Sequence, residues 1–154
     1  DAGCVMHSHT SAGLGVATQK EGLLPLTQMA LAVIANTGYH DYEGPAFDLE
    51  ERERLLNDIK DLNILILRNH GLLTVGKTVS EAFMWMYRAE RACRFQLSFQ
   101  QAGAEAQQIP LPVQQVSIER SKKAISSSGH RPIGEFEWPA LLRKLNRQNP
   151  GFDQ

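Results

Sequence analysis

The sequence lacks a strong excess of charge of either sign. Its 16 lysines and arginines nearly balance 17 aspartates and glutamates, which leaves a formal net charge of −1 at pH 7. Nucleic-acid-binding domains usually present a concentrated basic surface, and acidic interaction tails need runs of carboxylates. The balance of charges therefore predicts no nucleic-acid partner.

Cysteines and long apolar runs are also scarce. The two cysteines, Cys4 and Cys93, lie in segments that are predicted to be a buried strand and a buried helix. This placement favours free thiols in a reducing compartment over a disulfide. No apolar run approaches the ~18 residues that a membrane span needs, and the start of the chain lacks the pattern of a signal peptide. We therefore expect a cytoplasmic protein that does not insert into a membrane.

The length of 154 residues suffices for one domain with a substantial core. The chain begins at Asp1-Ala2-Gly3 without a methionine and runs directly into a predicted strand. Since full-length proteins seldom begin inside their core, this start predicts a longer gene product that has an additional N-terminal part.

The most informative segment is an apolar run that ends in two histidines, Cys4-Val5-Met6-His7-Ser8-His9-Thr10. In a β-strand, residues i and i+2 point to the same face, so His7 and His9 would present two imidazoles side by side. A third imidazole, His70, comes where a later run of isoleucine and leucine gives way to glycine. Three histidines at the ends of two strands can make the open three-ligand site of a catalytic zinc. The sequence thus predicts a site for zinc or another divalent transition metal; the alternative is ordinary strand-end histidines bonded to backbone or water.

The segment Tyr39-His40-Asp41-Tyr42-Glu43-Gly44 is dense in aromatic and ionisable groups and is predicted to be a short strand or a loop. His40 and Asp41 are candidates for contacting the substrate or for supporting the metal-binding histidines from outside. Asn69, next to His70, is a third candidate of the same kind. The alternative is a solvated turn whose tyrosines pack on the surface.

The spacing of apolar residues predicts alternating strands and helices. Strands are expected at 3–9, 63–69 and 72–75, and helices at 11–20, 28–35, 48–60, 79–103, 113–127 and 135–148. The predicted N-caps are Thr10 or Ser11, Thr27, Asp48, and Thr78 or Ser80. The loop at 126–132 contains His130, which is expected to be solvated. The apolar side of the longest helix and the arm that carries Trp138 are expected to support a homo-oligomer.

Four motifs in this order resemble those of the class II aldolase/adducin family. They are Cys4-Val5-Met6-His7-Ser8-His9-Thr10, Gly22-Leu23-Leu24-Pro25, Tyr39-His40-Asp41-Tyr42-Glu43-Gly44 and Arg68-Asn69-His70-Gly71-Leu72. Residues 1–103 resemble the second half of the family domain. Residues 104–154 are similar to the linker and helical C-terminal extension of bacterial, adducin-like members. The N-terminal part of the domain is expected to be missing.

The resemblance implies an α/β fold of three layers, α/β/α, whose central sheet is mainly antiparallel. It implies a zinc site made by His7, His9 and His70, and an aldolase-type carbon–carbon lyase that acts on a small hydroxy-carbonyl, sugar-type compound. Enzymes of the family are typically cyclic tetramers, so the resemblance also implies a homo-oligomer.

The chain departs from the enzymes of the family in one respect. Their acid–base carboxylate and their phosphate-holding residues precede the His-x-His motif, and none of Glu21, Asp41 or Glu43 matches that carboxylate. The catalytic residues are therefore unknown. The alternative function is a non-catalytic, adducin-like assembly or protein-interaction module, and the presence of all three histidines favours the enzyme.

Overall fold

The computed structural model describes residues 2–44, 49–125 and 132–154. Within these ranges the chain forms four strands and six helices. In chain order they are β1 (Cys4–Ser8), α1 (Ser11–Ala17), α2 (Gln28–Ile34), β2 (Thr37–His40), α3 (Glu51–Ile59), β3 (Ile64–Leu67), β4 (Gly71–Gly76), α4 (Val79–Ala102), α5 (Leu111–Ala124) and α6 (Glu137–Gln148). The alternation of strands and helices confirms the predicted α/β class.

The strands form one mixed sheet in the order β1-β4-β3-β2. Strand β4 pairs antiparallel with both β1 and β3, whereas β2 pairs parallel with β3. A parallel pair needs a crossover connection, and α3 provides it between β2 and β3. The prediction of a mainly antiparallel sheet is confirmed, with the β2–β3 pair as the parallel exception.

Helices cover both faces of the sheet and make the predicted three layers. On one face, side chains of α1, α2 and α4 pack on Ile64, Ile66 and Leu72. On the other face, Ile59 of α3 packs on Leu65 and Leu67. All four residues of β3 are buried. This burial on both faces explains why the sequence of the strand is an uninterrupted apolar run. Each such side chain contributes about 2 kcal/mol through burial.

Two of the predicted helix caps are present as expected. The Thr27 hydroxyl accepts a hydrogen bond from the backbone N–H of Ala30, and the Thr78 hydroxyl accepts one from Glu81. These bonds satisfy N–H groups that have no partner within the first turn of a helix.

The prediction that Thr10 or Ser11 caps α1 is confirmed in position, for Thr10, but not in the expected side-chain bond. Thr10 occupies the N-cap position without a side-chain cap bond, because its hydroxyl donates to Glu90 of α4 instead. The predicted cap Asp48 and the predicted loop residue His130 lie outside the described residues.

The last two helices pack back on the body of the chain. Helix α5 lies against α2, and the Trp138 ring of α6 stacks edge-on against Phe83, 5.3 Å away. The division of the chain at residue 103 stays a prediction. Within the described ranges, no helix is both long enough and apolar enough to span a bilayer.

Candidate metal centre

The end of β1 carries the first two histidines. Side chains of this edge strand alternate between half-buried and exposed positions. His7 lies on the exposed side, and His9 continues the alternation just beyond the strand. Their ring centroids are 4.6 Å apart. The i, i+2 arrangement predicted from the sequence therefore brings both imidazoles to one face of the sheet.

The third histidine lies in the tight turn between β3 and β4. Asn69 adopts a left-handed conformation with φ of 57°, and Gly71 has φ of 150°. A Cβ atom on Gly71 would lie 2.4 Å from the carbonyl oxygen of Ser8 and 3.2 Å from Cδ2 of His9. The turn therefore reaches the end of β1 only because residue 71 is glycine.

The three imidazoles converge on one point. The His70 centroid lies 4.8 Å from that of His7 and 4.9 Å from that of His9. One ring nitrogen of each histidine lies within 4.8 Å of the other two. The structure thus brings together all three residues that the sequence singled out.

The donor set fits a divalent transition metal. The Nδ1 atom of His7 lies 2.9 Å from the carbonyl oxygen of Leu72, and because a carbonyl only accepts, this nitrogen carries the hydrogen. The Nε2 atom of His7 is then an acceptor, and it accepts a hydrogen bond from Nε2 of His9 at 2.8 Å. A metal ion bound here would take the place of that hydrogen between the two nitrogens. Nitrogen atoms on one tetrahedral zinc lie about 3.3 Å apart, so small ring rotations bring the set to ligand spacing.

The electrostatics of the cluster favour neutral histidine at position 70. Burial lowers the pKa of His70, and the neighbouring His7 and His9 lower it further, whereas the charge of Glu51 opposes the shift. Neutral imidazole is the form that binds metals.

His40 lies at the end of β2, outside the triad, and is buried. Its Nδ1 is 2.7 Å from a carboxylate oxygen of Asp58, and its Nε2 is 3.4 Å from one of Glu51. Glu51 therefore contacts His40, and its negative charge also raises the pKa of His70, against the larger effect of burial. Sequence reasoning missed Glu51 and Asp58. Helix α3 has several charged residues, and the sequence does not show which of them contact His40.

The remaining candidates lie on the surface beside the triad. Asp41 and Asn69 are exposed and line one cavity of about 460 Å³ together with Tyr42 and Arg68. The Tyr42 ring lies 6.1 Å from that of His70, centroid to centroid. Asp41 and Asn69 thus share a cavity with Tyr42, and Tyr42 is the residue among these that contacts His70. The sequence motif contained Tyr42 but indicated no specific role for it.

One family model matches more than half of the chain. Residues 1–97 match the family model described as the Class II Aldolase and Adducin N-terminal domain. The chain belongs to this family. The resemblance that the four sequence motifs indicated is confirmed.

Relatives within the family include bacterial and animal proteins. A Pseudomonas aeruginosa protein with the provisional name aldolase class 2 protein is 44% identical over 160 residues, covering 100% of this chain and 59% of the relative. Alpha-adducin of Mus musculus is 38% identical over 154 residues, covering 95% of this chain and 21% of the adducin. The chain therefore spans less than two thirds of the length of these relatives.

Solved structures of class II aldolases have the same fold. An aldolase II superfamily protein from Pseudomonas syringae superposes with a TM-score of 0.87 at 41% identity, covering 97% of this chain and 58% of the other. An L-fuculose 1-phosphate aldolase from Glaciozyma antarctica has a TM-score of 0.69 at 22% identity, covering 94% and 51%. The second likeness concerns the fold alone, and both agree with the predicted class II aldolase architecture.

Proposed function

We propose that this chain is a metal-dependent, aldolase-type lyase domain that acts on a small hydroxy-carbonyl compound of the sugar type. The observation that carries the proposal is the convergence of His7, His9 and His70, whose ligand nitrogens lie within 4.8 Å of one another. The names of the Pseudomonas relatives support the aldolase class. Zinc or another divalent transition metal, a homo-oligomer and a cytoplasmic location belong to the same proposal.

The residues around the site have separable roles in this proposal. His7, His9 and His70 would hold the ion, which when bound acts as a Lewis acid toward a carbonyl oxygen. The bond from His7 Nδ1 to the Leu72 carbonyl fixes the ring orientation and tautomer. Tyr42 borders the triad and offers a hydroxyl for hydrogen bonding to a substrate. The proposal assigns no residue as the catalytic base.

Elemental analysis of the purified, dialysed protein tests the proposal. We expect about one transition-metal ion per chain, and its loss in His70→Ala, because two imidazoles hold zinc far less tightly than three. Ser8→Ala is the matched control, since Ser8 lies between the two strand histidines but its hydroxyl contacts Met86. Metal content should also fall as pH is lowered through the imidazole titration range. Equal metal content in the parent and in His70→Ala would contradict the proposal.

A non-catalytic, adducin-like assembly module is the second candidate. The match to mouse alpha-adducin over 95% of this chain favours it. The same measurement separates the two candidates, because an assembly module has no requirement for a bound ion. A parent protein that binds no metal when zinc is supplied would favour the module.

A further inference from the structure

The side chain of Arg68, two residues before His70 in the chain, is held in one orientation. One of its terminal nitrogens, Nη1, donates to the carbonyl oxygens of Gln19 at 2.9 Å and Lys20 at 3.2 Å. Its guanidinium carbon lies 4.2 Å from the centroid of the Tyr39 ring. Tyr39 is itself fixed, because its hydroxyl accepts a hydrogen bond from the backbone of Leu23 at 3.0 Å.

This arginine has no anionic partner within the described part of the chain. The two bonds from Nη1 leave three of the five N–H groups of the guanidinium without a protein acceptor there. The neighbouring arginine of the same region, Arg54, is by contrast paired with Glu43. A fixed guanidinium with free donors is well suited to bind a carboxylate or a phosphate, because it presents a planar pair of donors at little entropic cost.

Arg68 lines a surface cavity of about 460 Å³. Lys20, Asp41, Tyr42 and Asn69 line the same cavity. In this lining the two cations outnumber the single carboxylate. Arg68 and Asp41 also line a second cavity, together with Glu43, Arg54 and Asp58. Tyr42 connects this cavity to the metal centre through its contact with His70, and Asn69 keeps the left-handed turn that separates Arg68 from His70.

We propose that Arg68 and Lys20 form an oxyanion subsite beside the histidine triad, and that it binds a carboxylate or phosphate group of the substrate. This inference rests on the proposed function, because it gives the lyase substrate an anionic group on the side of the metal centre that Tyr42 borders. Asp41 in the same cavity would accept hydrogen bonds from hydroxyl groups of such a substrate. The subsite therefore selects hydroxy-carbonyl compounds that carry an acid group.

Anion titrations of the metal-free protein test the subsite without interference from the ion. Inorganic phosphate and glycolate serve as separate probes, followed by calorimetry and by the NMR signal of the Arg68 Nε–H group. We expect saturable binding that shifts this signal, with the Kd raised about tenfold in Arg68→Gln and about threefold in Lys20→Gln. Arg147→Gln removes the same charge from an exposed position on α6 and should leave the Kd unchanged. Tighter phosphate binding would indicate a phosphorylated substrate, and tighter glycolate binding a hydroxy acid.

Absence of saturable binding, or equal Kd values in the parent and in Lys20→Gln and Arg68→Gln, would overturn the subsite. Lys20→Gln decides the question if Arg68→Gln does not fold, because the structural contact at position 20 is made by the backbone carbonyl. A parallel zinc titration keeps the two proposals distinct. Zinc binding without anion binding would refute the subsite alone, whereas absence of zinc binding would refute the proposed function.

Discussion

At the scale of single residues, Gly71 determines whether the third histidine can reach the other two. Its φ is 150°, and a Cβ atom at this position would come within 2.4 Å of the Ser8 carbonyl oxygen, which leaves no room for a side chain. We expect Gly71→Ala to lower the free energy of unfolding by about 2–4 kcal/mol, from backbone strain plus displacement of β1. The same displacement should weaken zinc binding, measured by competition with a chelator.

Gly103→Ala is the matched control for this prediction. Gly103 also has a positive φ, 64°, but apart from its chain neighbours and its own helix no atom of the described residues lies within 4 Å of its Cβ position. This variant should lose about 1 kcal/mol of stability, because alanine in the left-handed region is strained, and it should bind zinc as the parent does. Unchanged zinc affinity in folded Gly71→Ala would show that the turn does not set the spacing of the histidines.

Sequence reasoning succeeds and fails at this scale for identifiable reasons. The alternation of a strand is local, so the common face of His7 and His9 follows from two positions in the chain. His70 could be added because a glycine after a buried strand marks the end of that strand. The carboxylates around His40 could not be predicted, since Asp58 and Glu51 reach it only through the packing of α3 on β2.

At the scale of elements, a carboxylate from α4 holds the start of α1. One oxygen of Glu90 accepts hydrogen bonds from the Thr10 hydroxyl and from the backbone N–H of Gly13, and the other accepts one from Arg94. The negative charge also lies at the positive end of the α1 dipole. The sequence signal for a Thr10 cap was misleading, because a partner 80 residues away competes for the same hydroxyl.

Removal of this carboxylate should destabilise the protein. We expect Glu90→Ala to lower the free energy of unfolding by about 1–3 kcal/mol, because Gly13 loses its acceptor in a partly buried place. Chemical denaturation monitored by circular dichroism measures the change. Glu119→Ala is the control. Glu119 is exposed and forms an i, i+4 pair with Lys123, so its removal should leave the midpoint unchanged. Equal denaturation midpoints for Glu90→Ala and the parent would show that Glu90 does not stabilise the start of α1.

The same helix buries a thiol that should be inert. Burial raises the pKa of Cys93 to about 12, and the nearby charge of Glu90 contributes to the shift. At pH 8, iodoacetamide should therefore modify Cys4, which is half-exposed on the edge strand, and leave Cys93 unmodified in the folded protein. Mass spectrometry of the labelled peptides gives the result, and comparable labelling of both cysteines would contradict it.

The raised pKa also predicts a loss of stability in alkali. The unfolded thiol ionises at its ordinary value of 9.0, whereas the folded thiol stays protonated to about 12. A group with a raised pKa in the folded state contributes stability below its unfolded pKa and loses it as pH rises toward the folded value. The free energy of unfolding should thus decline between pH 9 and 12, and this decline should be shallower in Cys93→Ala.

At the scale of the whole molecule, the sequence predicts which segments form most of the strands, but it does not predict the order of the strands in the sheet. Apolar periodicity predicts strands at 3–9, 63–69 and 72–75, and the structure has them at 4–8, 64–67 and 71–76. The position of β2 next to β3, in parallel, depends on how α3 crosses the sheet, which no local pattern encodes. The prediction of three layers, α/β/α, came from the family resemblance, because apolar periodicity alone does not predict how helices and strands are arranged in layers.

A partly exposed aromatic face of α4 suggests a contact between copies of the chain. Tyr87 and Phe95 are 42% and 39% exposed, and Arg91 lies between them, with its guanidinium near both rings. These residues share one face at i, i+4 and i+8. Aromatic residues and arginine are the types enriched in protein–protein interfaces and in their energetic centres. The predicted Trp138 arm, by comparison, is already packed on Phe83 of its own chain.

We therefore expect the chain to self-associate through the Tyr87–Arg91–Phe95 face. Sedimentation equilibrium over a range of concentrations should give a dimer or a larger oligomer, and Tyr87→Ser combined with Phe95→Ser should raise the dissociation constant about a hundredfold. Leu111→Ser combined with Val113→Ser is the control, because these residues are 64% and 52% exposed on α5 and lie outside the face. A parent protein that sediments as a monomer at the highest concentration would refute the oligomer, whereas association that survives in the α4 variant would place the contact on another surface.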